Sequence, residues 1–286
     1  MTTAAASDDP AKGEPTASSA QPRQFIVTVY GLYSRTEGGW LSVASLISLL
    51  ADLGIDAPAV RSSISRLKRR GIVHSERRDG TAGYALSDEG LAVLREGDHR
   101  IFRKERATLA DGWLLAVFSV PESERSKRHL LRSRLNRLGF GTTSSGVYIA
   151  PAHLYDTTAE MLRRLGLDGY ADLFRADHLA FSGLADKVRQ WWDLDQLEEL
   201  YGEFVRRHGT VLEGGARRAR TGEREAFVDY VKVLTDWRQL PYLDPGLPQE
   251  LLPPDWIGIR AADLFFTLQS RLEGSARAYV AGALTR

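Results

Sequence analysis

Seven side chains between Arg61 and Arg78 state most plainly what chemistry this sequence can do. Arg61, Ser62, Ser65, Arg66 and Arg69 lie in the stretch from Ala57 to Arg70, which holds four arginines, one lysine and no acid, a local charge of +5. At about 100° per residue, Ser62, Ser65, Arg66 and Arg69 share one helical face with Arg61 on its flank, while Val60, Ile64 and Leu67 form a stripe opposite. A solvated helix face usually mixes signs, with acids placed to pair with bases one turn away. This face has none. Small hydroxyls and guanidinium forks facing outward suit the DNA major groove, where Arg reads guanine through two hydrogen bonds. Arg77 and Arg78 precede an Asp79-Gly80 turn and suit contacts to phosphate or the minor groove.

Covalent chemistry finds no comparable anchor. The chain has no cysteine, which excludes disulfides, thiolate catalysis and thiolate metal sites. Its six histidines (74, 99, 129, 153, 178 and 208) include no pair at i,i+3 or i,i+4, so neither catalytic nor metal residues are expected. Gly139-Phe140-Gly141 has the look of a phosphate loop but follows a helical pattern and precedes a strand, the reverse of the required order. The hydroxyls of Thr142, Thr143, Ser144 and Ser145 have no nucleophile-elbow context. Net charge is only +1, so any nucleic-acid footprint is local.

The elements that must position these residues can be read in order. Residues 1–23 are small, polar and Pro-containing without an apolar core, and are expected to be a disordered tail rather than a signal peptide. Phe25–Tyr33 fits a buried helix, and Ser42 caps a second one over Val43–Leu53. Asp56 and Pro58 open the basic helix, which Gly71 ends. Ile72–Arg77 and Ala82–Leu86 alternate as strands, so residues 24–106 are expected to form a winged helix-turn-helix, with 96–106 as linker or helix extension. WLLAVFSV from Trp113 reads as a strand, Glu122–Leu138 as a helix, Ser144–Ala150 as a strand, Thr158–Leu165 as a helix and His178–Ser182 as a third strand. That alternation predicts a ferredoxin-like α+β middle domain over 107–183. An all-α C-terminal domain follows over 184–286, with helices at Asp186–His208, Glu223–Arg238 and Ile259–Val280 and a Gly/Arg-rich loop over 209–221. The fold class is therefore α+β. WLLAVFSV is too short to cross a bilayer, and a cytoplasmic location is expected.

Four of the six tryptophans (191, 192, 237 and 256) lie in this last segment. They serve either as ordinary helical core or, in part, as walls of an apolar pocket anchored by Arg238 and Arg260.

Three stretches resemble the PaaX family of repressors of phenylacetate and related aromatic-acid catabolism. The first is FIVTVYGLYSRTEGGWLSVASLISLLADLGIDAPAVRSSISRLKRRGIV, with its GGW, SLI…L and VRSSISRL. The second is WLLAVFSVPESERSKRHLLRSRLNRLGFGTTSSGVYIAP. The third and most specific is DWRQLPYLDPGLPQELLPPDWIGIRAADLF. Together they span roughly residues 24–280.

The resemblance implies a non-enzymatic regulator that binds double-stranded operator DNA as a homodimer and leaves it when an aryl-acyl-CoA binds, phenylacetyl-CoA being the leading candidate. On that expectation Trp237, Tyr242 and Trp256 would pack on the acyl group. Arg238, Arg260 and the Arg217-Arg218-Arg220 segment would meet the CoA phosphates. The dimer is expected through the middle or C-terminal domain. The family's middle domain also resembles the ferredoxin-fold nucleases of CRISPR spacer acquisition, which makes a metal-dependent nuclease targeted by the winged helix the alternative. Such nucleases need an acidic metal ligand at the end of the first strand, where this chain has Ser119-Val120-Pro121.

Overall fold

Short-range signals set the element boundaries in the computed structural model, which describes residues 17–35, 38–102, 106–179, 181, 183–217 and 222–285. The chain divides into two compact units that join in sequence at Ser87 and Asp88.

The first unit contains α1 (Ala17–Val29), running on into one π-helical turn (Tyr30–Ser34), then β1 (Trp40–Ser42), α2 (Val43–Asp52), α3 (Ala57–Arg69), β2 (Val73–Arg78) and β3 (Thr81–Leu86). Helix α1 starts inside the stretch read as a tail, because Phe25, Ile26, Val29 and Tyr30 form a buried stripe and the helix extends back from it. Residues 1–16 lie outside the described residues. Both caps expected from the sequence are present. Ser42 Oγ accepts from the Ser45 amide at 2.9 Å, and Asp56 Oδ1 from the Ala59 amide at 2.7 Å. Helix α1 packs on α2 and α3, and Val60, Ser63, Ile64 and Leu67 are the buried side of α3.

The sheet order is β1-β3-β2, antiparallel throughout. Arg78 pairs with Thr81, leaving Asp79-Gly80 as a two-residue loop with φ of 48° and 78°, the turn whose twist matches the strands. Gly83 on β3 admits no side chain: a Cβ there would lie 2.4 Å from the Trp40 ring and 2.5 Å from Leu41 O. Trp40 therefore lies flat across the hairpin and donates from Nε1 to Glu76 O at 3.3 Å.

The second unit opens with α4 (Asp88–Ile101), so the first part of the charged stretch, residues 96–101, is helix extension, while residues 103–105 lie outside the described residues and Arg106 is outside the helix. Then follow β4 (Trp113–Phe118), α5 (Arg125–Arg137), β5 (Gly141–Ser144), β6 (Val147–Pro151), α6 (Tyr155–Arg164) and β7 (Ala171–Ala176). The four strands lie in the order β5-β6-β4-β7, each pair antiparallel. Leu131 and Leu135 of α5 and Met161 and Leu162 of α6 close one core with Leu114, Ala116, Tyr148 and Ala150. On β4 the alternate residue Trp113 meets Trp191 and Trp192.

Two strand expectations are corrected. Ser144–Ala150 is not one strand: it holds the end of β5, the Ser145-Gly146 turn and most of β6, which pair as a hairpin. The last strand is Ala171–Ala176 rather than His178–Ser182; of the latter, His178, Leu179 and Phe181 are described and lie outside any strand. The edge position of β7 explains the error. Ala171 and Leu173 pack inward while Asp172, Phe174 and Arg175 face out, so its apolar signal is diluted.

Helices α7 (Leu184–Trp191), α8 (Leu194–Arg217), α9 (Glu223–Trp237), the short α10 (Leu240–Leu243) and α11 (Ile257–Leu284) complete the chain. The helix expected over Asp186–His208 is thus two, interrupted where Asp193 Oδ1 caps α8 through the Gln196 amide at 2.9 Å. The expected loop over 209–221 is helical up to Arg217, since Val211 and Leu212 continue the stripe of Leu197, Tyr201, Phe204 and His208. Arg218 and Arg220 lie outside the described residues. Helix α11 packs along α8 and α9. No helix among the described residues is long and apolar enough to cross a membrane.

Candidate functional site

Two features of different character stand out, one in each unit. In the first, Arg61, Ser62, Ser65 and Arg69 are exposed on α3 and Arg66 is half-buried beside them. Lys68 and Arg70 extend the cationic surface, Lys68 Nζ donating to Ser75 Oγ of β2 at 2.8 Å. A sixth cation joins them from α1. Arg23 is partly buried, and burial followed by the like charges of Arg70 and Arg66 lowers its pKa. Sequence reading missed Arg23 because it fell in the presumed tail; only the packing of α1 on α3 brings it there.

The two hairpin arginines differ from one another. Arg77 is exposed and donates to Gly80 O at 3.0 Å across the turn. Arg78 is held inward: Nε meets Glu76 Oε1 at 2.6 Å, Nη2 meets Gly38 O at 3.1 Å, and the guanidinium lies 5.4 Å from the Trp40 ring centroid. Its first role is therefore to brace the hairpin, and Arg77 is the freer of the two.

The second feature is a cavity of about 360 Å³, within the roughly 300–1,000 Å³ of small-molecule sites. Helix α4 contributes His99 and Arg100, the segment before β4 contributes Arg106, and the turn into α6 contributes His153, Leu154 and Thr157. Tyr201, Trp237, Pro241, Asp244, Pro245, Gly258, Ile259 and Ala262 come from the helical layer. Its polar wall is built around Asp244, whose side chain is only 2% exposed. The Asp244 carboxylate accepts from Arg106 Nη2 at 2.9 and 3.0 Å, Tyr201 Oη at 3.0 Å and the Gly246 amide at 2.9 Å. Arg106 Nε also donates to Leu247 O at 2.9 Å. Burial and the adjacent carboxylate push the Tyr201 phenol well above its ordinary range, so it stays a neutral donor.

Of Trp237, Arg238, Tyr242, Trp256 and Arg260, all expected to meet a ligand, Trp237 alone lines this cavity. It stacks on Phe265 with ring centroids 4.7 Å apart and donates from Nε1 to Ile101 O at 2.9 Å. Trp256 is buried behind Tyr201, edge-on to it at 6.1 Å. Tyr242 lies under the Arg100 guanidinium, 5.3 Å from centroid to Cζ. Arg238 is half-buried and Arg260 exposed, both away from the lining. Arg100, Arg106 and Asp244 escaped sequence reading because each sits in a charged or proline-rich run that looks solvated. The Gly139-Phe140-Gly141 run has a packing role: Trp192 Nε1 donates to Gly139 O at 2.8 Å, and a Cβ on Gly141 would lie 2.9 Å from the Trp192 ring. Among the described residues no three His, Asp or Glu side chains converge as metal ligands.

Known proteins match this arrangement along nearly the whole chain. Residues 21–90 match the model described as PaaX-like protein, 106–188 the PaaX protein central Cas2-like domain, and 192–282 the PaaX-like protein C-terminal domain. The chain belongs to the PaaX-like family. It is 28% identical to the transcriptional repressor PaaX of Escherichia coli (strain K12) over 261 residues, covering 90% of this chain and 82% of the relative. A solved structure of an uncharacterized protein from Mycobacterium tuberculosis superposes with a TM-score of 0.51 at 25% identity, covering 86% of this chain and 96% of the other.

Proposed function

We propose that this chain is a ligand-gated transcriptional repressor of aromatic-acid catabolism, not an enzyme, acting in the cytoplasm on operator DNA. The observation that carries the reading is the α3 surface, where Arg61, Arg66, Lys68, Arg69 and Arg70 gather like charges with no acid of the helix to answer them and Arg23 of α1 close enough to feel two of them. A polyanion relieves that repulsion and releases its own counterions. The order α1-β1-α2-α3-β2-β3 supports a winged helix-turn-helix, α3 entering the major groove with Arg61, Ser62, Ser65, Arg66 and Arg69, and the β2-β3 wing reaching backbone or minor groove through Arg77, with Arg78 bracing it. The strand order β5-β6-β4-β7 with α5 and α6 on one face supports a ferredoxin-like middle domain, and the helices from α7 onward an effector domain. Domain limits of 24–106, 107–183 and 184–286 follow from this reading.

A single winged helix buries little DNA surface, and two-fold operators are read by two-fold dimers. The second unit offers a suitable face: β7 is an open edge, Phe174 is exposed on it, and Leu179 and Phe181 beyond it are almost wholly exposed. The effector is an aryl-acyl-CoA, phenylacetyl-CoA first among candidates, with Trp237 nearest its acyl group and Arg260 the exposed cation for its phosphates.

The test is calorimetry of phenylacetyl-CoA with the full chain, alone and bound to a duplex selected by this protein from a random-sequence pool. A ligand shifts DNA affinity only through its different affinity for the two states. A hundredfold loss of DNA affinity corresponds to about 2.7 kcal/mol of coupling, and the DNA must weaken ligand binding by the same factor. Equal ligand affinities in the two titrations would rule the switch out.

A further inference from the structure

We propose that the cavity of the second unit is a binding site for a small apolar acyl compound, an aryl or branched body carrying a carbonyl or carboxylate oxygen, with Arg100 as its polar anchor. This rests on the effector reading above and gives it a place. The cavity holds two arginines, and they are treated differently. Arg106 is neutralised by Asp244. Arg100 has no carboxylate partner among the described residues. Its Nη1 and Nη2 both donate to the neutral Leu138 O at 3.1 Å, and its Nε is buried without a hydrogen-bond partner. Glu96, the acid nearest in effect, is committed to Arg164 at 3.2 Å. Burial lowers the pKa of Arg100, and the nearby Tyr242 and Glu96 offset it only in part.

A largely buried guanidinium without a carboxylate to donate to is costly, and an incoming oxygen with full or partial negative charge offsets that cost. Leu154, Trp237, Pro241, Pro245, Ile259 and Ala262 give the lining an apolar wall that takes an apolar body, while His99, His153, Thr157, Gln249 and Asp263 add polar groups around it. The volume suits an acyl group and leaves no room for a complete coenzyme. A free carboxylic acid and a thioester place an oxygen at Arg100 equally well, and the experiment separates them. Arg100 lies on α4, which begins at Asp88, two positions after the last strand of the DNA-reading unit ends at Leu86. A ligand that pulls on Arg100 therefore acts on the helix that leads directly out of that unit.

The full chain is titrated by calorimetry with phenylacetate, phenylacetyl-CoA and coenzyme A, in wild type and in Ala262→Trp, Arg100→Gln and Arg100→Lys, each checked for native fold by circular dichroism. Ala262→Leu is the smaller filling change should the tryptophan unfold the protein. We expect one of the two acyl compounds to bind at least tenfold tighter than coenzyme A. Ala262→Trp and Arg100→Gln should each weaken it at least tenfold, and Arg100→Lys should recover part of the loss. The tighter of acid and thioester names the source. Unchanged binding in Ala262→Trp and Arg100→Gln overturns the cavity assignment while leaving the effector reading standing. Coenzyme A binding as tightly as its thioester does the same. Absence of binding by wild type overturns both. Cavity binding that fails to release DNA keeps the site and removes the repressor switch.

Discussion

On α3, Arg61 and Arg69 stand in solvent on a helix without a single acid, whereas in the second unit Arg100 and Arg106 are drawn into protein beside aromatic rings. The same side chain is used under opposite constraints. Exposed guanidinium groups remain hydrated, so crowding them costs little until a polyanion arrives. Buried ones must be answered locally, and Arg106 has Asp244 for that purpose while Arg100, among the described residues, donates to a carbonyl and to no carboxylate. On the proposed reading, a surface for a large, highly charged partner is built from many weakly held cations, and a cavity for a small ligand from one that is poorly satisfied.

The buried side of this contrast carries the largest expected effect. Asp244→Asn keeps the shape of the side chain but removes the charge that answers Arg106, itself 21% exposed. Breaking one half of a buried pair typically costs about 3–5 kcal/mol. For a unit of this size each kcal/mol moves the thermal midpoint by roughly 2–4 °C. Differential scanning calorimetry measures it. A loss below about 1 kcal/mol, the range of surface pairs, would place Arg106 with the solvated cations and dissolve the contrast.

The exposed side should respond in binding. Arg66→Ala or Arg69→Ala should each cost roughly 1–3 kcal/mol if it reads a base, with relaxed preference at one position of the selected duplex. Arg77→Ala should weaken all sequences alike and lower the salt slope by about 1. Fluorescence anisotropy across a salt series reads both. If Arg66→Ala combined with Arg69→Ala leaves affinity unchanged at physiological salt, α3 is not the reading helix.

These two sides were unequally legible before the structure. The α3 face announces itself because both its pattern and its boundaries are local: Asp56 caps, Pro58 starts, Gly71 stops, and the period of 3.6 separates Val60, Ile64 and Leu67 from the serines and arginines. The hairpin was equally clear from Asp79-Gly80. Arg100 carries no such mark. In DHRIFRKER it is one cation in a charged run, and its burial comes from Leu138 and Tyr242, 38 residues and far more away in sequence. Trp237 was recognisable as aromatic wall or core and is both, stacked on Phe265 and facing the cavity. The edge strand β7 was misplaced for a related reason: half its side chains face away from the core, so the more apolar HLAFS nearby outweighed it.

The smallest expected effect is also the one where stability and binding pull apart. Arg23 sits close enough to Arg66 and Arg70 for their charges to depress its pKa, after burial, which is the larger cause. Both causes disfavour the charged form in the folded state. Arg23→Gln keeps a long polar side chain while removing the charge, so it should stabilise the free protein. Screening by water limits the gain to a few tenths of a kcal/mol, the size seen for like-charged neighbours on helices. Raising ionic strength should shrink that gain, because the repulsion between exposed charges is already screened at about 10 Å in 0.1 M salt. DNA reverses the sign. With a polyanion bound, the same charge contributes to counterion release, so Arg23→Gln should weaken every duplex alike and reduce the salt slope by up to about 1. Urea unfolding at low and moderate salt, paired with anisotropy on the same preparations, measures both. A variant that is less stable at low salt would mean that Arg23 is held by packing rather than crowded by charge, and it would leave the cationic surface to α3 and the hairpin alone.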